Sequence, residues 1–183
     1  MKLLSTPIAG LHLAESVPVA DNRGALTRFY CERELSAALG PRCIVQINHT
    51  RTNVVGAIRG MHLQRPPHAE MKFVRCVKGR VWDVAVDLRA GSPTFLKWHA
   101  EELSPENGLM MIIPEGCAHG FQVLEADCEL LYLHTAIYTP GSEGGFSYHD
   151  SAFNIHWPLP VTDLSKRDAS HQPIAPHFTG IDS

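Results

Sequence analysis

The sequence predicts an all-β protein, built as a double-sheet jelly-roll barrel with a few short helices. The first observation is that short runs rich in Val, Ile, Leu, Phe and Trp alternate with Gly, Pro, Asn and Asp through the middle of the chain. The second is strict alternation in residues 81–88, directly after a predicted tight turn at Lys78-Gly79. One face of that strand is expected to point inward. Many short strands need their edges closed or covered, and a closed double sheet meets that need.

The remaining elements follow from weaker patterns. Residues 31–40, CERELSAALG, predict one short helix that ends at Gly40. Residues 1–20 are apolar but have no clear place in a barrel, so they are interpreted as an N-terminal arm. Residues 141–183 are interpreted as a C-terminal tail of loops, with a helical turn around DLSKRD and a mobile end. The whole chain, 1–183, is expected to form a single domain.

Composition excludes several classes of function. A formal net charge of -3 supplies no basic field for a nucleic acid or an anionic membrane. No stretch approaches the length of a membrane span, and the start lacks the apolar core of a signal peptide, so a cytoplasmic location is expected. The five cysteines form no CxxC pair and mostly lie in apolar strings, which favours reduced core thiols.

Two glycine-led segments carry the chemistry. Residues 56–64 place His62 six positions after a glycine, and residues 108–119 read Gly, five residues, then Pro-x-Gly-x-x-His, ending at His119. Both resemble the short motifs of the cupin superfamily, whose members are jelly rolls. Metal-binding cupins carry His-x-His and a carboxylate in the first motif, whereas this chain has Gln64 at the second position. Two histidines alone would leave a divalent ion short of ligands, so no metal is expected.

Without a metal, the same histidines suit proton transfer. An imidazole titrates near neutral pH, as a general base must. A lysine or a second imidazole can stabilise the oxyanion that forms when a proton leaves the carbon beside a carbonyl. A tyrosine can return a proton from the other face of the substrate.

Longer strings make the resemblance specific. They are DNRG (21–24), RGMHLQ through FLKW (59–98), LSPEN (103–107), IPEGCAHGFQVL (113–124) and LLY (130–132). Together they resemble the dTDP-4-dehydrorhamnose 3,5-epimerase family, metal-independent cupin enzymes, over about residues 20–170.

The resemblance implies a role for each matching catalytic position. His62 would remove the proton next to the 4-keto group of the sugar, and Asp168 would orient its imidazole. Lys72, with His119 nearby, would stabilise the enolate oxygen. Tyr132 would deliver a proton to the opposite face, so the carbon is inverted.

The resemblance also implies substrate-binding positions. Arg59, Arg23, Gln46 and Asn48 would bind the phosphates and sugar hydroxyls, because a guanidinium suits bidentate contact with a diphosphate. Glu143 is placed with them as a substrate-contacting residue.

Three positions depart from the family pattern. Arg28 stands where relatives carry a glutamate, Ile137 where they carry an aromatic, and Gly144 where they carry an arginine. All three lie on the side that recognises the nucleotide, so the resemblance implies a nucleotide diphosphate sugar, with dTDP favoured and another base left open.

The expected reaction is therefore epimerisation of a nucleotide-linked 4-keto-6-deoxy sugar at C3, C5 or both, with no cofactor. The resemblance also implies a homodimer in which the N-terminal segment reaches the partner. The alternatives are a nucleotide-sugar ketoisomerase, which needs the same base, a metal-dependent cupin oxygenase or isomerase, and a sugar-binding module without turnover.

Overall fold

A computed structural model describes residues 1–182, which form thirteen strands and two short α-helices. The strands are Lys2–Ser5 (β1), His12–Glu15 (β2), Val19–Asp21 (β3), Gly24–Leu26 (β4), Gln46–Thr52 (β5), Ile58–Gln64 (β6), Lys72–Lys78 (β7), Val81–Asp87 (β8), Trp98–Leu103 (β9), Leu109–Ile113 (β10), Cys117–Val123 (β11), Cys128–His134 (β12) and Glu143–Gly145 (β13). The helices are Glu32–Leu39 (α1) and Lys166–Ser170 (α2), and Pro140–Ser142 forms a 3-10 turn.

Two antiparallel sheets make up the body of the protein. One has six strands in the order β1-β2-β10-β7-β12-β5, and the other has five in the order β13-β6-β11-β8-β9. Strands β3 and β4 form a separate hairpin. The predicted all-β, double-sheet architecture is confirmed. So is the tight turn at Lys78-Gly79, because β7 ends at Lys78 and Gly79 takes the left-handed conformation with φ +72°.

Three apolar clusters account for the burial of the strands. The interior cluster includes Val74, Ala85 and Phe121 and lies between the sheets. A second covers the outer face of the five-stranded sheet, and a third packs α1, through Leu35 and Leu39, on the other sheet. Both faces of β8 are therefore buried, whereas its alternation predicted one inward face. The alternation separates two cores rather than core from solvent.

The N-terminal residues differ from the predicted arm. Strand β1 pairs with β2, and β2 pairs with β10, so these two strands form one edge of the six-stranded sheet of their own chain. This pairing supplies the backbone hydrogen bonds that the edge of β10 needs. Only the β3–β4 hairpin stands away from the sheets, and all its residues are exposed.

The C-terminal tail is folded onto the barrel rather than mobile over its described length. Phe146, Phe153 and Ile181 are buried in the cluster on the outer face of the five-stranded sheet. The amide of Ile181 donates to the carbonyl of Leu88 at 2.7 Å. The predicted helical turn near DLSKRD is present as α2.

The cysteines agree only in part with their interpretation as core thiols. All are free within residues 1–182, and Cys76, Cys117 and Cys128 are buried, but Cys31 is half-buried and Cys43 is exposed. None of the helices in the described part of the chain is long and apolar enough to cross a bilayer.

Candidate active site

A cavity of about 880 Å³ opens between the two sheets, large enough for a small-molecule ligand. Every predicted site residue except Arg23 lines it. These residues are His62, Tyr132, Asp168, Lys72, Gln46, Asn48, Arg59, His119 and Glu143. Residues from both sheets and from α2 therefore converge on one space.

The base predicted from the sequence lies next to its predicted partner. Nε2 of His62 lies 2.7 Å from Oδ1 of Asp168, and the side chains are 21% and 3% exposed. Burial alone would raise the pKa of the Asp168 carboxyl, but the hydrogen bond and charge of His62 lower it below its usual value. Asp168 therefore stays ionised and holds the imidazole in one orientation.

The C-terminal tail delivers this carboxylate. The amide of Ile58 donates to the carbonyl of Asp163 at 3.1 Å, and a parallel bridge joins Ile58 to Leu164. Ser165 then caps α2 by accepting a hydrogen bond from the amide of Asp168 at 3.0 Å. These contacts attach the tail to the start of β6, the strand that carries His62.

Tyr132 reaches the cavity from the other sheet. It lies on β12, whereas His62 lies on β6. Burial, followed by the nearby Asp83 charge, raises the pKa of the Tyr132 phenol well above its usual value. The phenol therefore keeps its proton and is available as an acid.

A second histidine–carboxylate pair consists of His119, which lines the cavity, and the fully buried Asp83 behind it. Nε2 of His119 is 2.7 Å from Oδ1 of Asp83, and both side chains are at most 5% exposed. Burial raises the pKa of the Asp83 carboxyl, against the opposing charge and hydrogen bond of His119. Sequence reasoning missed Asp83. The sequence feature that could have identified it is the alternation of β8, in which Asp83 shares a face with Val81 and Ala85, both of which belong to the interior core.

Lys72 is surrounded by polar groups that its motif did not predict. Its ammonium donates to the carbonyl of His62 at 3.2 Å and lies 3.2 Å from Oε1 of Glu70. The other oxygen of Glu70 lies 2.7 Å from Nδ1 of His134. Glu70 and His134 also line the cavity, and neither was predicted as a site residue.

Further cations face the same space. Arg59 is held by the hydroxyl of Thr52, which accepts from its Nε at 2.9 Å. Arg167 pairs with Glu143 at 2.7 Å, and its guanidinium comes within 3.4 Å of Nε2 of His62. Arg167 was not predicted, although it directly precedes Asp168 in the sequence. With Lys72, these side chains give the cavity cationic groups that can bind phosphates.

Arg23 does not reach this cavity within the described residues. It lies in the exposed β3–β4 hairpin and pairs with Asp21 at 2.6 Å, with 85% of its side chain exposed. Its role in substrate binding stays a prediction.

The three positions that depart from the family pattern, Arg28, Ile137 and Gly144, lie in different surroundings. Arg28 pairs with Glu34 of α1, and Ile137 is 67% exposed. A Cβ atom on Gly144 would lie 3.1 Å from Nε of Arg65. The guanidinium of Arg65 thus lies beside the position where relatives carry an arginine.

One cluster in residues 1–182 has the donors for a metal ion. The ligand atoms of His62, Asp168 and His171 all lie within 4.8 Å of one another. This differs from the metal set of cupins, since only His62 comes from a cupin motif. His171 can pack against His62 because Gly145 has no side chain, and a Cβ there would lie 2.0 Å from the His171 ring.

Comparisons with known proteins match nearly the whole chain. Residues 5–175 match the model of the family described as dTDP-4-dehydrorhamnose 3,5-epimerase. A curated enzyme of that name from Pseudomonas aeruginosa is 41% identical over 177 residues, 96% of this chain and 97% of its own.

Solved structures agree with the sequence match. The dTDP-4-dehydrorhamnose 3,5-epimerase from Elizabethkingia anophelis superposes with a TM-score of 0.91 at 38% identity, over 97% of this chain and 98% of that one. The dTDP-6-deoxy-D-glucose-3,5-epimerase from Legionella pneumophila, solved in complex with dTDP-4-keto-L-rhamnose, superposes with a TM-score of 0.91 at 35% sequence identity. The match covers 100% of this chain and 98% of that one. The resemblance and the cupin-type fold are confirmed. The chain belongs to the dTDP-4-dehydrorhamnose 3,5-epimerase family, and it is an isomerase that acts as a carbohydrate epimerase.

Proposed function

We propose that this protein epimerises a nucleotide diphosphate 4-keto-6-deoxy sugar at C3 and C5, with dTDP as the nucleotide. The observation that carries the proposal is the placement of His62 and Tyr132, which face one cavity from opposite sheets. The catalytic base and the acid can then act on opposite faces of a sugar ring bound between them.

The proposed reaction proceeds through an enolate. His62, oriented by Asp168, removes the proton from the carbon next to the 4-keto group, and the electron pair moves onto the carbonyl oxygen. The ammonium of Lys72 donates a hydrogen bond to that oxygen, and His119, whose Nε2 is held by Asp83, can donate a second one through Nδ1 when both of its ring nitrogens are protonated. The enolate then collapses back to the ketone as its carbon takes the phenolic proton of Tyr132 on the other face. The carbon is inverted and the keto group is restored. Solvent then takes the proton held by His62 and returns one to Tyr132, so that the same pair can act on the second carbon.

The cations of the cavity support a diphosphate substrate. Arg59 and Arg167 approach from β6 and α2, and both present guanidinium groups. Arg167 is 54% exposed and lies at the open side, where an entering phosphate would meet it. Gln46 and Asn48 supply amides from β5 for hydroxyls of the sugar.

The assembly is proposed to be a homodimer in the cytoplasm. Val17, Val19 and Leu26 are each more than 70% exposed, which is unusual for apolar side chains on a surface without a partner. The same hairpin carries Arg23, which in a dimer would serve the partner's cavity. The free cysteines agree with a reducing compartment.

Proton NMR of the reaction in deuterated water tests the proposal. With dTDP-4-keto-6-deoxyglucose we expect deuterium at C3 and C5, inverted centres and a keto group that stays at C4. A ketoisomerase would instead move the carbonyl. A parallel sample treated with a chelator should react at the same rate, and loss of activity there would favour the metal-dependent alternative.

Removing the charge of Asp168, the carboxylate beside the proposed base, should lower kcat nearly as much as removing His62 itself. Asp168→Asn keeps the size of the side chain but removes its charge, so the imidazolium formed during proton removal loses its stabilising partner. We expect kcat to fall by about 100-fold or more, within the ~10²–10⁴ that acid–base catalysis contributes. Steady-state kinetics checks this, with the exposed Asp127→Asn as control. An Asp168→Asn enzyme with unchanged kcat would remove Asp168 from the mechanism.

A further inference from the structure

A third histidine–carboxylate pair lines the cavity and takes no part in the steps above. Nδ1 of His134 lies 2.7 Å from Oε2 of Glu70, and these side chains are 9% and 8% exposed. The carboxylate can only accept, so Nδ1 of His134 carries a proton that it donates to Glu70. The amide nitrogen of Asn48 lies 3.4 Å from Nε2 of His134.

This pair belongs to a continuous run of polar contacts along one wall of the cavity. Glu70 joins His134 to Lys72, whose ammonium lies 3.2 Å from Oε1. Beyond His134, Oδ1 of Asn48 accepts a hydrogen bond from Gln46 at 3.2 Å. Burial would raise the pKa of Glu70, but the contacts with His134 and Lys72 lower it, so the carboxylate at the centre of the run stays ionised.

This run of contacts also lies against Tyr132, the proposed acid. His134 and Tyr132 are two residues apart on β12 and share a face, and their rings lie 6.0 Å apart with an angle of 10° between planes. The ring of His119 lies 5.7 Å from Tyr132 at 73°. Tyr132 therefore packs between two imidazoles, one anchored by Asp83 and the other by Glu70.

We propose that His134, held by Glu70, is a positioning residue that fixes the phenol of Tyr132 for proton delivery. The inference rests on the proposed function, because it concerns the step in which Tyr132 completes inversion. An anchored ring on each side removes rotational freedom from the phenol. A small displacement of a reacting group is enough to slow a reaction about 100-fold.

The test separates proton removal from inversion. In deuterated water, exchange without inversion reports His62 alone, since the base can return solvent deuterium to the same face. Inversion requires Tyr132 as well. We expect His134→Leu to slow inversion by roughly 10-fold or more, given the sensitivity of catalysis to geometry, while exchange at C3 and C5 stays within about 3-fold of wild type. A purely structural defect would lower both rates together.

Two further variants make the outcome decisive. In a Tyr132→Phe background, His134→Leu should slow the residual inversion no further, because the phenol that His134 positions is already gone. His99→Leu is the matched control: His99 is also a strand histidine beside a carboxylate, 3.6 Å from Glu101, but lies outside the cavity. If His134→Leu does not fold, His134→Gln replaces it.

The proposal is overturned if the His134 variant inverts the sugar at the wild-type rate, if exchange falls with inversion, or if the loss persists in the Tyr132→Phe background. Failure of the proposed function looks different. In that case the wild-type protein itself neither exchanges nor inverts the sugar.

Discussion

Replacing His62 with Asn is expected to reduce kcat/KM by about 10³-fold or more, within the range that general acid–base catalysis supplies. The imidazole is the proposed base, and an amide cannot take a proton at neutral pH. Asp168 would then retain the N-terminal cap of α2, so the fold should persist. The deciding measurement is deuterium uptake at C3 and C5, which should disappear together with product formation.

The control for His62→Asn is His177→Asn, which alters an exposed histidine outside the cavity. It should leave both rates at the wild-type level. Persistent exchange in the His62 variant would show that another group removes the proton. The buried pair of His119 and Asp83 would then be the first place to look.

Tyr132→Phe is expected to slow inversion strongly while exchange continues. The phenol supplies the proton on the second face, and phenylalanine preserves the ring that packs between His119 and His134. The rate of inversion should fall by about 10²–10⁴-fold. Chiral analysis of the product, run beside the deuterium measurement, distinguishes the two steps.

The pH dependence of the same variant adds a second check. Burial raises the pKa of Tyr132 well above 10, so the acid stays protonated throughout the range from pH 7 to 9. The ratio of wild-type to variant inversion rates should therefore be constant over that range. A ratio that shrinks toward pH 9 would mean that the phenol ionises in this range and that burial does not protect its proton.

Local patterns were enough to predict strands β7, β8, β10 and β12, the helix near residues 31–40 and the two motif histidines. The alternation of residues 81–88 and the glycine before each motif are short-range signals, and the structure places them as expected. The contact between His62 and Asp168 joins residues 106 positions apart. No periodicity encodes such a contact, so only the family resemblance could suggest it.

The site residues that the sequence did not predict were missed for one reason. Asp83, Arg167 and His134 become site residues through strand register and the path of the tail, both of which are long-range properties. The pairing of β12 with β7, for example, sets His134 opposite Lys72. The N-terminal strands were not predicted for the same reason, since β10, the partner of β2, pairs with it across 94 to 100 positions of the chain.

The C-terminal tail, which covers the outer face of the five-stranded sheet, also carries Asp168, the carboxylate in contact with His62. During synthesis, every strand of both sheets leaves the ribosome before Asp168 and Ile181 do. A chain that ends before Asp168 therefore keeps the strands that line the cavity, His62 among their residues, but lacks the carboxylate beside that histidine. The proposed catalytic pair is completed only after the last strand of the two sheets has been made.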